Sequence, residues 1–317
     1  MVEEDVVKVT SQYLRRSEEQ IAEVYEQLGI ETLSDLAASK PDEIARAFGI
    51  SEKTAKNIVR DARKEASKGI AEPKTLAELL EEEAERDVIP TGIESFDEHM
   101  GGGLPTKTIV GIYGPPGAGK SQFAMQVAAN VLREGESVLY VDTENAFSPR
   151  RLIEIGGFDE EEAKERIGDR FVLRRIVEAA ALTQYFDEEE GEFLGEALRL
   201  APKVVVIDSI SQPFRPYGAR DKLPERSRMV AKILNAVLKY CTRHNALGLV
   251  TTHVQANPDA FGKRWQDVAP TVLKHIATYR FSIEFKGRTE RVIALEDAPD
   301  KPPFEVEVEL TDRGLVG

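Results

Sequence analysis

The residues best suited to chemistry form one glycine-rich stretch that ends in a lysine and a serine. In order they are Gly114, Pro115, Pro116, Gly117, Ala118, Gly119, Lys120 and Ser121. Their spacing fits the pattern G-x-x-x-x-G-K-[ST], in which backbone N–H groups surround the phosphates of a nucleotide. Lys120 would supply a cation for the β- and γ-phosphates, and Ser121 a hydroxyl for Mg²⁺. The stretch therefore predicts a site for a nucleoside triphosphate.

The segments around this loop predict an α/β fold with a mostly parallel central sheet. Apolar residues 108–113 predict a buried strand before the loop, and residues 122–132 predict a helix after it, whose N-terminus would face the phosphates. Strands and helices then alternate, as a doubly wound sheet requires. Further strands are predicted at 137–142, 204–208, 246–252, 279–285, 292–295 and 304–310. The last three alternate more clearly between apolar and polar residues, which indicates an antiparallel extension at one edge.

Polar residues at the ends of these strands are candidates for catalysis and metal binding. Asp208 ends a buried strand and is expected to hold Mg²⁺ together with Ser121. Glu144 is placed to orient the water that attacks the γ-phosphate. Asp142 competes for that role, because residues two apart on a strand face the same side. His253, just beyond a predicted strand, is a candidate sensor of the γ-phosphate.

A basic segment with aromatic residues follows the strand that ends at Asp208. In a chain that is acidic elsewhere, it suits single-stranded nucleic acid, since cations bind phosphates and rings stack on bases. The alternative is a solvated loop with internal ion pairs. A second candidate segment, 257–274, contains the only tryptophan. The DNA-binding candidates in the two segments are Arg215, Tyr217, Arg220, Arg226, Lys263 and Arg264.

The N-terminal region predicts a separate helical domain. Ser17 and Gln20 have the spacing of a capping box, and Gly49 precedes a helix capped by Ser51. A glycine turn between short helices, followed by lysines and arginines, is typical of a helix-hairpin-helix unit that binds DNA phosphates, although a plain helical adaptor fits equally. We therefore expect a helical domain at 1–68, a linker at 69–88 and an ATPase core at 89–317. The linker's leucines could lie on a neighbouring subunit.

Composition narrows the class of protein. The formal charge of −14 argues against a protein that coats nucleic acid indiscriminately, so a nucleic-acid site would have to be a local basic patch. A single cysteine, Cys241, excludes a disulfide framework. No apolar run approaches the roughly 20 residues of a membrane helix. A cytoplasmic protein without membrane contact is expected.

Taken together, these motifs resemble those of the archaeal RadA recombinases, relatives of bacterial RecA. The resemblance extends from about Glu19 to the C-terminus and includes Pro90-Thr91-Gly92, the phosphate loop with Gln122, and Asp142-Thr143-Glu144. It continues through Asp208-Ser209, Phe214-Arg215, Tyr217, Arg220, Leu223, Arg226, Val254, Ala256, Pro258-Asp259 and Asp297-Ala298-Pro299. It implies a RecA-like P-loop ATPase core that requires ATP and Mg²⁺. It also implies a filament on single-stranded DNA that pairs this strand with a homologous duplex.

The resemblance also implies roles for individual residues. Glu144 resembles the carboxylate that activates water, and Lys120 and His253 complete the catalytic set. Arg151 resembles the arginine that stacks on adenine, beside Gln122. Asp297 and Pro299 resemble a cap that a neighbouring subunit places over ATP, which implies a homo-oligomer, either a filament or a ring, with ATP at its subunit interface. Arg215, Arg220 and Arg226 resemble the first DNA loop.

Departures from the family pattern motivate an alternative function. The linker reads Pro73-Lys74-Thr75-Leu76 where the family has an aromatic clasp for polymerisation. His253 stands in place of a glutamine, Asn257 in place of an arginine, and Ala269-Pro270-Thr271 in place of Gly-Gly-His. The alternative is a RadA-like paralogue that binds ATP and assists a recombinase without forming filaments. A RecA-core ATPase for another task, such as unwinding, is disfavoured by the first DNA loop.

Overall fold

A computed structural model describes residues 2–66, 75–84, 86–188, 190–218, 220–256, 265–267 and 271–317. The chain divides into two compact units. The first comprises residues 1–78 and 184–201, and the second comprises 79–183 and 202–317. The expected domain boundaries at 68 and 88 remain a prediction, and Pro73, Asn257 and Ala269 lie outside the described residues.

The helices and strands are numbered separately along the chain. The α-helices are α1 (Glu4–Ser11), α2 (Glu18–Leu28), α3 (Leu33–Ala38), α4 (Pro41–Phe48), α5 (Glu52–Ala66), α6 (Leu76–Ala84), α7 (Glu94–Met100), α8 (Lys120–Arg133), α9 (Pro149–Gly156), α10 (Glu160–Glu162), α11 (Ala179–Tyr185), α12 (Phe193–Leu200), α13 (Leu223–Arg243) and α14 (Thr271–Ile276). The strands are β1 (Val88–Ile89), β2 (Leu104–Pro105), β3 (Thr108–Gly114), β4 (Ser137–Asp142), β5 (Phe171–Arg175), β6 (Pro202–Asp208), β7 (Leu247–Ala256), β8 (Trp265–Asp267), β9 (Tyr279–Phe285), β10 (Glu290–Asp297), β11 (Glu305–Thr311) and β12 (Gly314–Val316).

The first unit is a helical bundle whose helix ends follow local sequence signals. Ser17 caps α2 in the predicted capping box, accepting a hydrogen bond from the Gln20 amide. Gly49 ends α4 in the left-handed conformation that glycine adopts at least cost. Tyr25 and Phe48 pack edge to face in the centre of this unit, with ring centroids 5.0 Å apart. The tight turn between α4 and α5 therefore forms as predicted.

A segment from the middle of the chain completes this helical unit. Arg63 of α5 donates to the backbone oxygens of Ala37 and Gly191, at 3.0 and 2.6 Å. Arg199 of α12 donates to the Ala38 oxygen at the end of α3. Both arginines thus satisfy carbonyl groups that a helix C-terminus leaves unpaired. The sequence did not indicate that residues 184–201 belong with the N-terminal helices.

The second unit is built on a sheet with the strand order β12-β11-β10-β9-β3-β7-β6-β4-β5, with β8 paired to β7. The pairs from β9 to β5 are parallel, and β10, β11 and β12 add antiparallel strands at one edge. All seven residues of β3 are buried, so the sheet is covered on both faces at its centre. The predicted α/β core with a mostly parallel sheet is confirmed.

The predicted antiparallel extension forms, because β10 pairs antiparallel with both β9 and β11. On its other side β9 lies parallel to β3, with Val110 opposite Tyr279, so it joins the extension to the parallel core. An alternating pattern reports only that one face is more buried than the other, so it does not determine the direction of the neighbouring strand. Within the described parts of the chain, no helix has the length and apolar character required to cross a membrane.

Candidate nucleotide site and adjoining basic loop

The phosphate loop lies between the end of β3 and the start of α8, as its sequence predicts. Gly119 precedes the helix at φ 113°, where a side chain would be strained. At Gly114 a Cβ atom would lie 2.2 Å from the Ile283 oxygen, so only glycine allows the loop to begin this close to β9. The ammonium group of Lys120 donates to the backbone oxygens of Gly114 and Pro115, at 2.9 and 3.1 Å.

The environment of Lys120 suits an anionic ligand. Its side chain is buried, and burial lowers the pKa of the ammonium group. The negative charges of Asp208 and Glu144 oppose that shift. Two neutral carbonyl oxygens compensate a buried cation only in part. A polyphosphate would supply the missing negative charge.

Arg291 contacts the backbone of the phosphate loop, and the sequence did not predict this contact. It lies on β10, only 4% exposed, and its Nε donates to the Ala118 oxygen at 3.0 Å. Its guanidinium group also lies over the ring of Phe285, 4.5 Å from the centroid. The two ends of the Arg291–Ala118 contact are 173 residues apart, so no local motif could have indicated it.

Asp208 is at the carboxyl end of β6, and neighbouring strands hold both of its oxygens. Asp142 of β4 is its register partner. The hydroxyl of Tyr140, also on β4, donates to Asp208 Oδ2 at 2.7 Å. The hydroxyl of Thr251 on β7 donates to Oδ1. The carboxylate is therefore held in one orientation by two neutral donors.

Glu144 lies in a hydrogen-bonded cluster with His253. The His253 Nε2 group donates to Glu144 Oε1 at 2.5 Å, and the Ser209 hydroxyl donates to the same oxygen at 2.7 Å. The hydrogen bond from His253 is the main reason why the pKa of Glu144 is lowered, and burial opposes it. The register of β3 and β7 places His253 beside Gly114, so this cluster adjoins the phosphate loop.

Asp142 has a different environment from Glu144. Its carboxylate accepts hydrogen bonds from the amides of Glu144, Ala146 and Phe147, at 3.0 to 3.3 Å. It is 2% exposed. Because its oxygens are occupied by the backbone of the next turn, Asp142 shapes the loop that carries Glu144. The geometry therefore favours Glu144 over Asp142 for contact with water.

These residues line one cleft of about 580 Å³. That volume falls within the range of small-molecule sites. The lining residues are Pro116, Gly117, Gly119, Lys120, Ser121, Gln122, Glu144, Arg151, Asp208, His253, Leu310, Thr311 and Asp312. The structure thus brings together the predicted phosphate-loop, carboxylate and histidine candidates in a single site.

Arg151 also lines this cleft, and hydrogen bonds hold its guanidinium group in place. Its Nε donates to Gln122 Oε1 at 2.6 Å, and its two terminal nitrogens donate to the oxygens of Thr311 and Asp312, at 2.7 and 2.6 Å. The N–H groups of a guanidinium lie in its plane, so hydrogen bonding through them does not prevent a planar base from stacking on a face of Arg151.

The residues of the cleft fit a magnesium ion that is bound together with phosphates. In the described segments, no group of three or more His, Cys, Asp or Glu side chains could hold a metal ion. Mg²⁺ usually binds through one or two protein ligands and completes its shell with water and phosphate oxygens. Ser121 and Asp208, both lining the cleft, supply a donor set of this kind.

Two predicted nucleotide contacts lie away from this cleft. Asp297 ends β10, and Pro299 follows in the connection to β11; both are exposed. Neither lines the cleft of its own chain. Their place is compatible with a contact to a second copy, which was the expectation for them.

The basic segment after β6 is only partly exposed. Arg215 is exposed in a short turn, Arg215–Tyr217, which is anchored by the fully buried ring of Phe214. The ammonium group of Lys222 lies 5.7 Å from the centroid of the Tyr217 ring. Arg226, in contrast, is 9% exposed within α13, so the structure does not bring it to the surface.

The remaining DNA-binding candidates cannot be placed in the same way. Lys263 and Arg264 lie outside the described residues. The backbone of Arg220 belongs to a short 3-10 turn, residues Arg220–Lys222, and its side chain is not described.

Comparisons with known proteins agree with this fold. The family model Rad51 matches residues 83–317, and the model "SAM-like Helix-hairpin-helix tandem" matches residues 19–64. The "DNA repair and recombination protein RadA" of Methanoculleus marisnigri is 34% identical over 309 residues, covering 93% of this chain and 94% of that protein. The protein of the same name from Haloquadratum walsbyi is 29% identical over 319 residues, covering 90% and 92%. With its ATPase core and its helix-hairpin-helix region both matched, this chain belongs to the Rad51 family of RecA-like recombinases.

Proposed function

We propose that this protein acts in DNA repair and recombination as an ATP-dependent recombinase that assembles on single-stranded DNA and promotes pairing and strand exchange with a homologous duplex. Proteins of the Rad51 family are DNA-dependent ATPases that bind ATP with Mg²⁺, and RadA proteins bind DNA as filaments. The observation that carries the proposal is that Lys120, Glu144 and Asp208 line one cleft, while the turn that begins at Arg215 follows directly from the strand of Asp208.

The cleft supports hydrolysis in the following way. Lys120, with the loop amides, binds and orients the phosphates. Glu144 orients the attacking water, and its lowered pKa keeps it ionised at neutral pH. Mg²⁺, when bound through Ser121 and Asp208, supplies positive charge to the phosphate oxygens. Arg151 provides a flat surface for the base, and Asp297 and Pro299 of a second copy would close the site.

The DNA site proposed here begins at the turn after β6. The exposed guanidinium of Arg215 is available for phosphates, and Tyr217 offers a ring for base stacking. Because this turn follows Asp208 within seven residues, occupancy of the nucleotide cleft and of the DNA site would be coupled, each changing affinity at the other.

Steady-state ATP turnover with and without single-stranded DNA tests the proposal. We expect DNA to stimulate wild-type turnover and Lys120→Ala to abolish it. Lys164→Ala is the control, because Lys164 is exposed and paired with Glu160 on the surface. Turnover that is insensitive to DNA, or a Lys120→Ala protein as active as wild type, contradicts a DNA-dependent ATPase.

A second candidate function is favoured by the linker sequence, which reads Pro73-Lys74-Thr75-Leu76 where the family has an aromatic clasp. A RadA-like mediator that binds ATP without forming filaments would explain that departure. Light scattering with single-stranded DNA and a non-hydrolysable ATP analogue separates the two: a recombinase forms large assemblies, and a mediator stays small.

A further inference from the structure

Tyr140 of β4 is a buried tyrosine whose hydroxyl group contacts a residue of the nucleotide cleft. It is 1% exposed and does not line the cleft. Its ring packs against Phe147 and Phe171, with centroids 4.9 and 6.1 Å away. Its hydroxyl donates to Asp208 Oδ2 at 2.7 Å. A phenol hydroxyl is protonated at neutral pH and can donate this hydrogen bond.

The second oxygen of Asp208 is held in an equivalent way. Thr251, which is fully buried, donates its hydroxyl to Oδ1. A carboxylate has about four acceptor positions on its two oxygens. One neutral donor on each oxygen therefore fixes the plane of the group and leaves positions free toward the cleft.

Without these donors, Asp208 would have an obvious competing partner. Lys120 lines the same cleft and carries the opposite charge. The ammonium group of Lys120 is nevertheless bonded to the oxygens of Gly114 and Pro115. Rotation of the carboxylate to form an ion pair with Lys120 would have to break the hydrogen bonds from Tyr140 and Thr251.

We propose that Tyr140 is a positioning residue that orients Asp208 toward Mg²⁺ and keeps it apart from Lys120. This inference rests on the proposed nucleotide site. It concerns only the magnesium-dependent part of nucleotide binding, because Tyr140 contacts neither the phosphate loop's amides nor the cleft itself. The nucleotide alone should therefore bind equally well whether or not the hydroxyl is present.

Tyr140→Phe removes this single hydroxyl and retains the packed ring. We would titrate the full-length protein with a fluorescent ATP analogue, first in EDTA and then over a series of Mg²⁺ concentrations. The affinity measured in EDTA should be unchanged. The Mg²⁺ concentration that gives half of the gain in affinity should rise about tenfold, because losing a hydrogen bond to a charged group weakens binding by about that factor.

Tyr185→Phe is a matched control. The hydroxyl of Tyr185 also makes a buried 2.7 Å hydrogen bond to a carboxylate, that of Glu196, but in the helical unit. Its Mg²⁺ requirement should equal that of the wild type. Thr251→Val, which deletes the other donor to Asp208, should raise the requirement in the same direction and tests the inference even if Tyr140→Phe does not fold.

The outcomes distinguish failure of the role of Tyr140 from failure of the proposed nucleotide site. An unchanged Mg²⁺ requirement in Tyr140→Phe and Thr251→Val overturns the role of Tyr140. An equal loss of affinity with and without Mg²⁺ also overturns it, because the hydroxyl would then support the phosphate loop as a whole. If the wild type binds no nucleotide under any condition, the nucleotide site itself is refuted before any variant is compared.

Discussion

Replacement of His253 tests the central contact of the catalytic cluster. Its Nε2 lies 2.5 Å from Glu144 Oε1, and the only other donor to that oxygen in the described structure is Ser209. His253→Ala removes the contact. His253→Gln retains an N–H donor without the imidazole, so it should preserve part of the interaction.

The expected magnitude follows from the exposure of the pair. A hydrogen bond to a charged group contributes roughly 1.5–3 kcal/mol. Because 30% of the Glu144 side chain and 14% of that of His253 remain exposed, water can replace part of the bond. We therefore take the lower end, about 1.5 kcal/mol of coupling between the two side chains.

The pH dependence has a defined sign. The contact lowers the pKa of Glu144 below its ordinary value of 4.5. The stabilisation from Glu144 is therefore complete above that value and is lost as the pH falls through the lowered pKa of the folded state. The coupling should be full at neutral pH and should disappear once Glu144 is protonated.

A double-mutant cycle measures this coupling directly. The free energy of unfolding would be compared for the wild type, His253→Ala, Glu144→Ala and the double variant, by urea titration. The exposed pair of Lys164 and Glu160 is the control and should give a smaller coupling.

Coupling at pH 7 within about 0.3–0.5 kcal/mol of zero, the range found for independent sites, would refute the reasoning. It would mean that water or Ser209 replaces the imidazole without loss. A coupling that grows as Glu144 becomes protonated would equally contradict it, because a neutral carboxyl group has no charge for the donor to stabilise.

Three further predictions concern the phosphate loop, the basic turn and α13. Arg291→Met should weaken binding of a fluorescent ATP analogue about tenfold, because the Ala118 oxygen loses a charged donor; Arg288→Met, exposed on the same hairpin, should not. Arg215→Ala should reduce the slope of log affinity for single-stranded DNA against log salt by about one and leave nucleotide affinity unchanged. Arg226→Ala should instead lower the melting temperature with little effect on that slope, because Arg226 is buried. An unchanged slope for Arg215→Ala would place that residue outside the DNA site.

Local signals in the sequence determined much of the fold and of the candidate site. The spacing of the phosphate loop, the apolar strand before it and the order of strand and helix were sufficient to predict the core and the position of Lys120 at a helix N-terminus. The capping box at Ser17 and the glycine turn at Gly49 predicted two helix boundaries. Each of these signals depends on residues within a few positions of one another. Over that range the geometry of a helix or strand determines how the side chains are placed relative to one another.

Only the tertiary structure distinguished the surroundings of Asp142, which accepts backbone amides, from those of Glu144, which meets His253 and Ser209. It also revealed Arg291 behind the phosphate loop, and it placed Arg226 in the interior while Arg215 stays exposed. These contacts join residues far apart in the chain. They depend on which strands lie side by side and how deeply each position is buried, and neither is encoded in the periodicity of a single segment.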